Sequence, residues 1–531
     1  MKNERWVDYS DRFMVFGFLV VLLGVAAVIG VDTIHRVSGR RGGGCPMEGF
    51  PAGLSQSKTI GWEAIVQANA GLIQEMRDAE KRMESAFPLR DRIFDLLLSL
   101  YRMLGTSVDK VVSGKNGWLF YEPDLLHLTG PGFLEKFGKV ESTMDPLSGV
   151  LDFYRQLQNR GIRLLVVPTP GKPSILPEYL KHGGAGGERP LKNPSWDAWV
   201  AALRRSGVDV VDVHDLLWER KRKGRTPYLR MDTHWTPDAV DAIAEVLAKS
   251  IESRLVRGPL LEMERRSIQV SNRGDIAGMV DREASHPLVD PETVWIDQVL
   301  LGGTIVSEDR SAQVLLIGDS FSNIYSSSRM GWGEGAGLAE QLAYHLQQPV
   351  DWIVHNDAGA IAGRKALAAE MAKGKDRLAG KRVVVWEFAC RELSFGDWAA
   401  VPLRLLEGRS SLDVWVPPAG RTLRISGVVS DRSRVPVPGS VPYADHIMAL
   451  HLTDVATADG TVSGVEALVY VFSMKAHRKT AFATLRPGDR VCLDIRPWEE
   501  VESRLGSINR SELDDETLLA AVPCWGEPIG E

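Results

Sequence analysis

The sequence predicts an α/β protein: a parallel sheet covered on both faces, with a transmembrane helix before it and a small β-barrel or β-sandwich after it. Three observations carry this. Apolar strands that do not alternate in polarity, "RLLVVPTP", "QVLLIGDS" and "RVVVWEF", are separated by helical patterns, as strands buried on both faces must be. A long uncharged run lies near the start, and beyond residue 405 the helical patterns give way to short strands between Gly, Pro and Asp turns. At 531 residues the chain exceeds one ordinary core, so two soluble domains are expected.

"FMVFGFLVVLLGVAAVIGV" (residues 13–31) has 19 residues and no charge. A helix of that length covers roughly 28 Å, close to the hydrocarbon thickness of a bilayer. The run is long for a cleaved leader ending near "GVAA", so an uncleaved signal anchor is expected. Lys2, Arg5 and Arg12 precede it, while Arg36, Arg40 and Arg41 follow, so positive charge does not choose the orientation. The commoner arrangement is a cytoplasmic tail over residues 1–12 with the rest translocated. It places the chain's bulk in the periplasm or on the outer side of the cytoplasmic membrane.

"SGRRGGGCP" reads as part of a flexible connector over residues 32–59. "EAIVQANAGLIQEMRDAEKRMES" and "AFPLRDRIFDLLLSLYRML" then carry apolar residues at helical spacing. Strands and helices alternate up to about residue 405. "RLLVVPTP" and "VDVVDVH" read as strands, and "PDAVDAIAEVLAKSI" as a helix started by Thr236-Pro237. "QVLLIGDS" is a strand, "AGLAEQLAYHL" a helix and "RVVVWEF" a further strand. A C-terminal domain over residues 411–531 offers five strand candidates: "RTLRISGVVSD", "HIMALHLTDV", "ALVYVFSM", "KTAFATL" and "DRVCLDIRPW". Five short strands suggest an OB-type barrel, with a carbohydrate-binding sandwich as the other reading.

Composition narrows the function classes. With 44% hydrophobic and 25% charged residues the chain is globular. A net charge of -6 supplies no basic footprint for nucleic acid. The four cysteines, Cys45, Cys390, Cys492 and Cys524, include no CxxC pair, which argues against a structural zinc site. Cys492 and Cys524 are either a disulfide or two free thiols.

Ser320, in "VLLIGDSFSN", ends a buried strand at the carboxyl edge of the expected sheet, where open α/β sheets place their sites. It is either a strand-to-helix turn with Asp319 or Ser320 as the cap, or a nucleophile. A nucleophilic serine needs a base, and the base needs an orienting carboxylate. Two Asp-x-His pairs qualify by spacing: Asp212/His214 in "VDVH" and Asp232/His234 in "MDTHWTP". Strand alternation accounts for the first pair without any function. The second lies in a polar loop before a helix, and spacing alone does not choose between them.

"IGDSF" with an upstream "DTHW" resembles the AlgJ/AlgX-type polysaccharide (alginate) O-acetyltransferases, whose catalytic domain is similar to SGNH (GDSL) hydrolases. "FPLRDRI", "GKNGWLFY", "VPTPGKPSILPEYL", "GLAEQLA" and "VVVWEFACREL" follow in the family's order, so the resemblance spans about residues 60–395. It implies an SGNH-like catalytic domain over residues 60–405, with Ser320 as nucleophile, His234 as base and Asp232 as orienter. "VDVH" then becomes structural. Ordinary SGNH hydrolases place Asp-x-x-His after the serine, whereas Asp-x-His precedes it here, as in the acetyltransferases. The Gly and Asn blocks of an SGNH oxyanion hole are not identifiable by spacing. Asn323, Tyr325, Asn356, Arg391 and Lys172 are polar candidates for oxyanion or substrate binding, each also readable as a cap, ion-pair or loop residue.

The resemblance implies acetyl transfer through an acetyl-serine to hydroxyls of an exopolysaccharide or cell-envelope glycan. No metal or other cofactor is required. The acetyl group is expected from a multipass membrane O-acyltransferase partner. An acetyl-esterase with the same three residues is one rival reading, and a non-catalytic glycan-binding scaffold is the other.

Overall fold

The structure, a computed structural model, describes residues 110–529 except 138–143, 182–186, 282–289, 357–358, 406–413 and single or paired positions at 257, 259, 439–440, 442, 507, 514, 516–517 and 519–520. The apolar run at 13–31, the connector, the helical patterns at 63–104 and Cys45 lie outside the described residues. Among the described residues, no helix is long and apolar enough to cross a membrane.

A short hairpin comes first, β1 (Val111–Ser113) with β2 (Leu119–Tyr121). Next are β3 (Arg163–Thr169) and β4 (Asp209–Val210), then a long hairpin of β5 (Met263–Asn272) and β6 (Glu292–Leu301), edged by β7 (Thr304–Ile305). β8 (Val314–Gly318), β9 (Asp351–Val354) and β10 (Val383–Ala389) follow. The order β4-β3-β10-β8-β9 forms one sheet in which every pair is parallel.

Alternate residues of these strands enter different cores, which explains why the sequence shows no polar alternation. Leu165, Val167, Val383, Val385, Val314 and Leu316 pack on one face, with the helices Pro237–Ile251 and Leu338–Leu346. Leu164, Val166, Val384, Trp386, Leu315 and Ile317 pack on the other, with Pro146–Gln158, Trp196–Arg205 and Ile361–Ala372.

The C-terminal domain is a barrel rather than two packed sheets. β11 (Leu423–Arg432), β12 (His446–Thr457), β13 (Val465–Lys475), β15 (Arg490–Pro497) and β17 (Cys524–Pro528) close in the order β11-β12-β13-β17-β15-β11. An odd number of strands cannot close with antiparallel pairs alone, and β13 with β17 is the one parallel pair of the ring. The two-residue β14 (Arg478–Lys479) and three-residue β16 (Asn509–Ser511) are appended to it.

Two expectations change, and one open choice is decided. "KTAFATL" is mainly a 3-10 turn (Ala481–Thr484), and the fifth barrel strand is instead "CWGEP" at the end of the described chain. Only Asp209–Val210 of "VDVVDVH" is strand, and His214 begins the helix His214–Arg222. Cys492 and Cys524 are free thiols. Cys524 stands opposite Pro497, five positions along β15 from Cys492. Five strand residues span roughly 16 Å, beyond the reach of a disulfide.

Candidate active site

β8 stops at Gly318, and the next turn presents the serine. Any Cβ at position 318 would collide with Ser322 Oγ, so glycine is needed for close approach. Asp319 is the N-cap of the short helix Ser320–Asn323. Its Oδ1 accepts the Phe321 N–H at 2.8 Å and its Oδ2 accepts the Ala389 N–H of β10 at 2.8 Å. Capping therefore falls on Asp319 and not on Ser320. The Ser320 side chain turns to the histidine.

Ser320 Oγ lies 2.8 Å from His234 Nε2, and His234 Nδ1 lies 2.6 Å from Asp232 Oδ1. With Nδ1 donating to the carboxylate, Nε2 has a lone pair for the serine proton. The loop holding His234 is pinned at several points. Leu229 N–H donates to the His234 carbonyl at 3.0 Å, and Trp235 Nε1–H donates to the Phe321 carbonyl at 2.9 Å. The Phe321 ring packs 4.8 Å from the imidazole.

Asp232 accepts from four donors. Besides the imidazole, Oδ1 takes the His234 N–H at 3.0 Å, while Oδ2 takes Trp332 Nε1–H at 2.8 Å and the Asp275 N–H at 2.9 Å. Burial opposes its charge, but His234 and these hydrogen bonds hold its pKa well below the usual carboxylate range. Burial likewise works against a charged His234, yet Asp232 reverses the balance and the histidine pKa is raised. Gly274 brings Asp275 to this place. Its φ is +93°, and a Cβ there would sit 2.5 Å from the Met231 carbonyl oxygen.

Beneath the turn lies the fully buried Glu387 of β10. It accepts from Thr169 Oγ1 at 2.7 Å, Ser322 Oγ at 2.8 Å and the Asp319 N–H at 3.2 Å. Burial, followed by the nearby Asp319 charge, pushes its pKa well up. Three strand ends are thereby tied to one carboxyl group.

The other polar candidates go elsewhere. Tyr325 is buried and its hydroxyl donates to the Trp235 carbonyl at 2.8 Å, which ties it to the loop backbone. Asn323 donates to Asn356 Oδ1 at 2.9 Å, and Asn356 donates to Asn509 Oδ1 of the barrel at 2.8 Å, so this amide chain joins the helix Ser320–Asn323 to the second domain. Lys172 is buried, donating to the Leu119 carbonyl at 2.7 Å and the Arg230 carbonyl at 3.2 Å, and burial pushes its pKa down to about 8. Arg391 stands nearer the site. It pairs with Asp124 at 3.1 Å and lies 5.8 Å from the centre of the Phe321 ring. A cleft of about 2020 Å³ between sheet domain and barrel is lined by Asn323 but not by Ser320, His234 or Asp232.

Asp232, His234 and Asp275 bring ligand-type atoms within 4.8 Å of one another. Their existing hydrogen bonds occupy Nδ1 and three of the four carboxylate oxygens, an arrangement suited to holding a proton. Trp332, Asp275 and Glu387 escaped the sequence reading. The "NRGD" turn, with a glycine just before an acidic residue, was the signal for Asp275.

The parallel sheet, with Ser, His and Asp at its carboxyl edge, defines a protein of the SGNH-hydrolase-like class. The family model described as "SGNH hydrolase-like domain, acetyltransferase AlgX" matches residues 111–390, more than half of the chain, and the chain belongs to this family. The "Probable alginate O-acetylase AlgJ" of Pseudomonas aeruginosa is 27% identical over 348 residues, 60% of this chain and 82% of the relative. Its namesake from Pseudomonas putida is 24% identical over 328 residues, 59% and 78% of the two chains. Among solved structures, the O-acetyltransferase domain of Pseudomonas putida AlgJ is 21% identical with a TM-score of 0.41, covering 54% of this chain and 93% of its own. Pseudomonas aeruginosa AlgX is 15% identical with a TM-score of 0.39, covering 72% and 89%.

Proposed function

We propose that this protein is a membrane-anchored polysaccharide O-acetyltransferase that works through an acetyl-serine. The observation that carries the reading is the hydrogen-bonded chain Ser320–His234–Asp232 at the carboxyl end of β8. Membership of the acetyltransferase family supports the choice of acetyl as the group moved, and the alginate O-acetylase names of its relatives support a polysaccharide acceptor.

His234 Nε2 takes the Ser320 proton as Oγ attacks the acetyl carbonyl of the donor. The imidazolium, held by Asp232, gives that proton to the departing donor oxygen, leaving acetyl on Oγ. In the second half His234 takes the proton of a glycan hydroxyl, whose oxygen attacks the acetyl-serine, and Oγ recovers the proton. The Ser320 backbone N–H and the Arg391 guanidinium are the proposed stabilisers of the tetrahedral oxyanion. No cofactor takes part. A multipass membrane O-acyltransferase supplies the acetyl group, and the run at 13–31 holds the catalytic domain beside it, on the periplasmic or outer side. Because the base must be neutral and its pKa is raised above 6.5, kcat/KM rises with pH through a limb lying above pH 6.5.

Full-length protein incubated with p-nitrophenyl acetate tests this. Phenol release with an acetyl group on Ser320, both absent in Ser320→Ala, is the expected result. Adding oligosaccharide acceptors then separates transferase from esterase: acetylated sugar is expected, and acetate alone would establish the esterase. A folded protein with no adduct and no turnover would overturn the enzymatic reading in favour of a scaffold.

A further inference from the structure

Resting on that reading, we propose that Asp275 is a positioning residue, a second carboxylate that sets the basicity of His234. Asp275 touches neither Ser320 nor any reacting atom. It acts through the imidazole and through the loop that holds it.

The geometry is reciprocal. The Asp275 N–H donates to Asp232 Oδ2 at 2.9 Å, and Asp275 Oδ1 accepts the Thr233 N–H at 2.7 Å. The residue between Asp232 and His234 is therefore clamped by the same aspartate that holds Asp232. Asp275 Oδ2 stands 3.8 Å from His234 Nδ1, on the nitrogen already bonded to Asp232. Its carboxyl is nearly as well buried as the pair it faces, with 7% of the side chain exposed. Two carboxylates thus converge on one imidazole nitrogen, which a simple serine–histidine–aspartate relay does not require.

Two buried carboxylates this close resist ionising together. Burial, followed by the Asp232 charge, pushes the Asp275 pKa up to about 6. Above that pH both carboxylates are charged and favour the imidazolium. As pH falls through about 6, Asp275 takes a proton and its support for the imidazolium is lost. The surrounding charges belong to several elements. Lys172 acts on Asp232, Asp275 and Glu292, and Tyr121 of β2 feels the Asp275 charge; Asp319 acts on His234 from the serine side, and Asp124, paired with Arg391, feels the His234 charge. Among the described residues, Asp232 and Asp275 are the carboxylates within 4 Å of the imidazole.

The test is a histidine NMR titration of full-length protein labelled with 15N-histidine, the His234 signals identified by their loss in His234→Gln. In the wild type, His234 should titrate in two steps, one near pH 6 where Asp275 protonates. In Asp275→Asn, whose amide oxygen still accepts the Thr233 N–H, a single step is expected, lower by about one pH unit. In parallel, plateau kcat on p-nitrophenyl acetate should fall roughly three- to tenfold with KM unchanged, and the acid limb should move to lower pH. A one-step wild-type titration, or a His234 pKa that does not move in Asp275→Asn, would overturn the proposal. The titration needs no turnover, so it reads Asp275 even if acetyl transfer fails. Absence of acetyl-Ser320 in every variant would count against the proposed reaction instead.

Discussion

Asp212–His214 and Asp232–His234 share one local design. The imidazole Nδ1 meets the aspartate Oδ1 at 2.7 Å in the first and 2.6 Å in the second, and in both the histidine N–H donates to that oxygen at 3.0 Å. Each second oxygen accepts a tryptophan Nε1–H, from Trp196 and Trp332 respectively. The surroundings then part. Lys192 places an ammonium 2.9 Å from Asp212, whereas Asp232 has a second carboxylate, Asp275, beside its histidine. His214 packs edge-on against Trp196, while His234 Nε2 meets a serine hydroxyl. Burial lowers the pKa of His214 despite its aspartate; in His234 burial is more than offset. The Asp-x-His spacing builds a pair, and distant residues decide what its imidazole faces.

The comparison can be broken most forcefully at the imidazoles. His234→Gln should lower p-nitrophenyl acetate turnover by about 10⁴- to 10⁶-fold. His214→Gln should leave turnover within about twofold and lower stability by ~1–2 kcal/mol, read as a melting shift. Equal losses of activity would erase the distinction. Next come the carboxylates: Asp232→Asn should cost about 10⁴-fold in kcat, through loss of tautomer control and of the charge facing the imidazolium, against no change for Asp212→Asn. A third contrast removes the indole donors. Trp332→Phe takes away one of the two donors to Asp232 Oδ2, leaving the Asp275 N–H, and should reduce kcat about tenfold, while Trp196→Phe should affect only the melting temperature. The smallest effect sharpens the electrostatics. Lys192→Met removes a cation that disfavours the charged form of His214, so the His214 pKa should rise by about half a unit in an NMR titration, with kcat unchanged.

Much of the scaffold was legible because its signals are local. The pattern "PDAVDAIAEVLAKSI" recurs at helical spacing with Pro at its first turn, and the helix Pro237–Ile251 occupies those residues. "VLLIG" and "VVVWEFA" are apolar throughout because β8 and β10 are covered on both faces. "KTAFATL" misled for the opposite reason. Its residues have strand preferences, but they turn at the barrel edge, and the closing strand Cys524–Pro528 contains Gly and Pro that mask it. The β5–β6 hairpin was also unread, since its alternation between exposed and covered residues breaks at Arg266–Ser267 and again over Gln298–Leu300.

The sequence by itself determined the parallel sheet, the change to a β domain after residue 405, and a short set of residues able to carry nucleophile, base and orienter. Periodicity and turn chemistry act over a few residues, so they survive in a one-dimensional reading. Residue spacing left two histidines open and the family resemblance pointed to His234; the tertiary structure brings that histidine to the serine. His234 and Ser320 are separated by 86 positions, and their 2.8 Å contact depends on the loop after Tyr228 being pinned to the carboxyl edge of β8. It also decided which groups surround the Asp232–His234 pair, since Trp332 and Asp275 reach Asp232 from segments 100 and 43 residues away. Such contacts are set by packing of whole elements, and no local pattern encodes them.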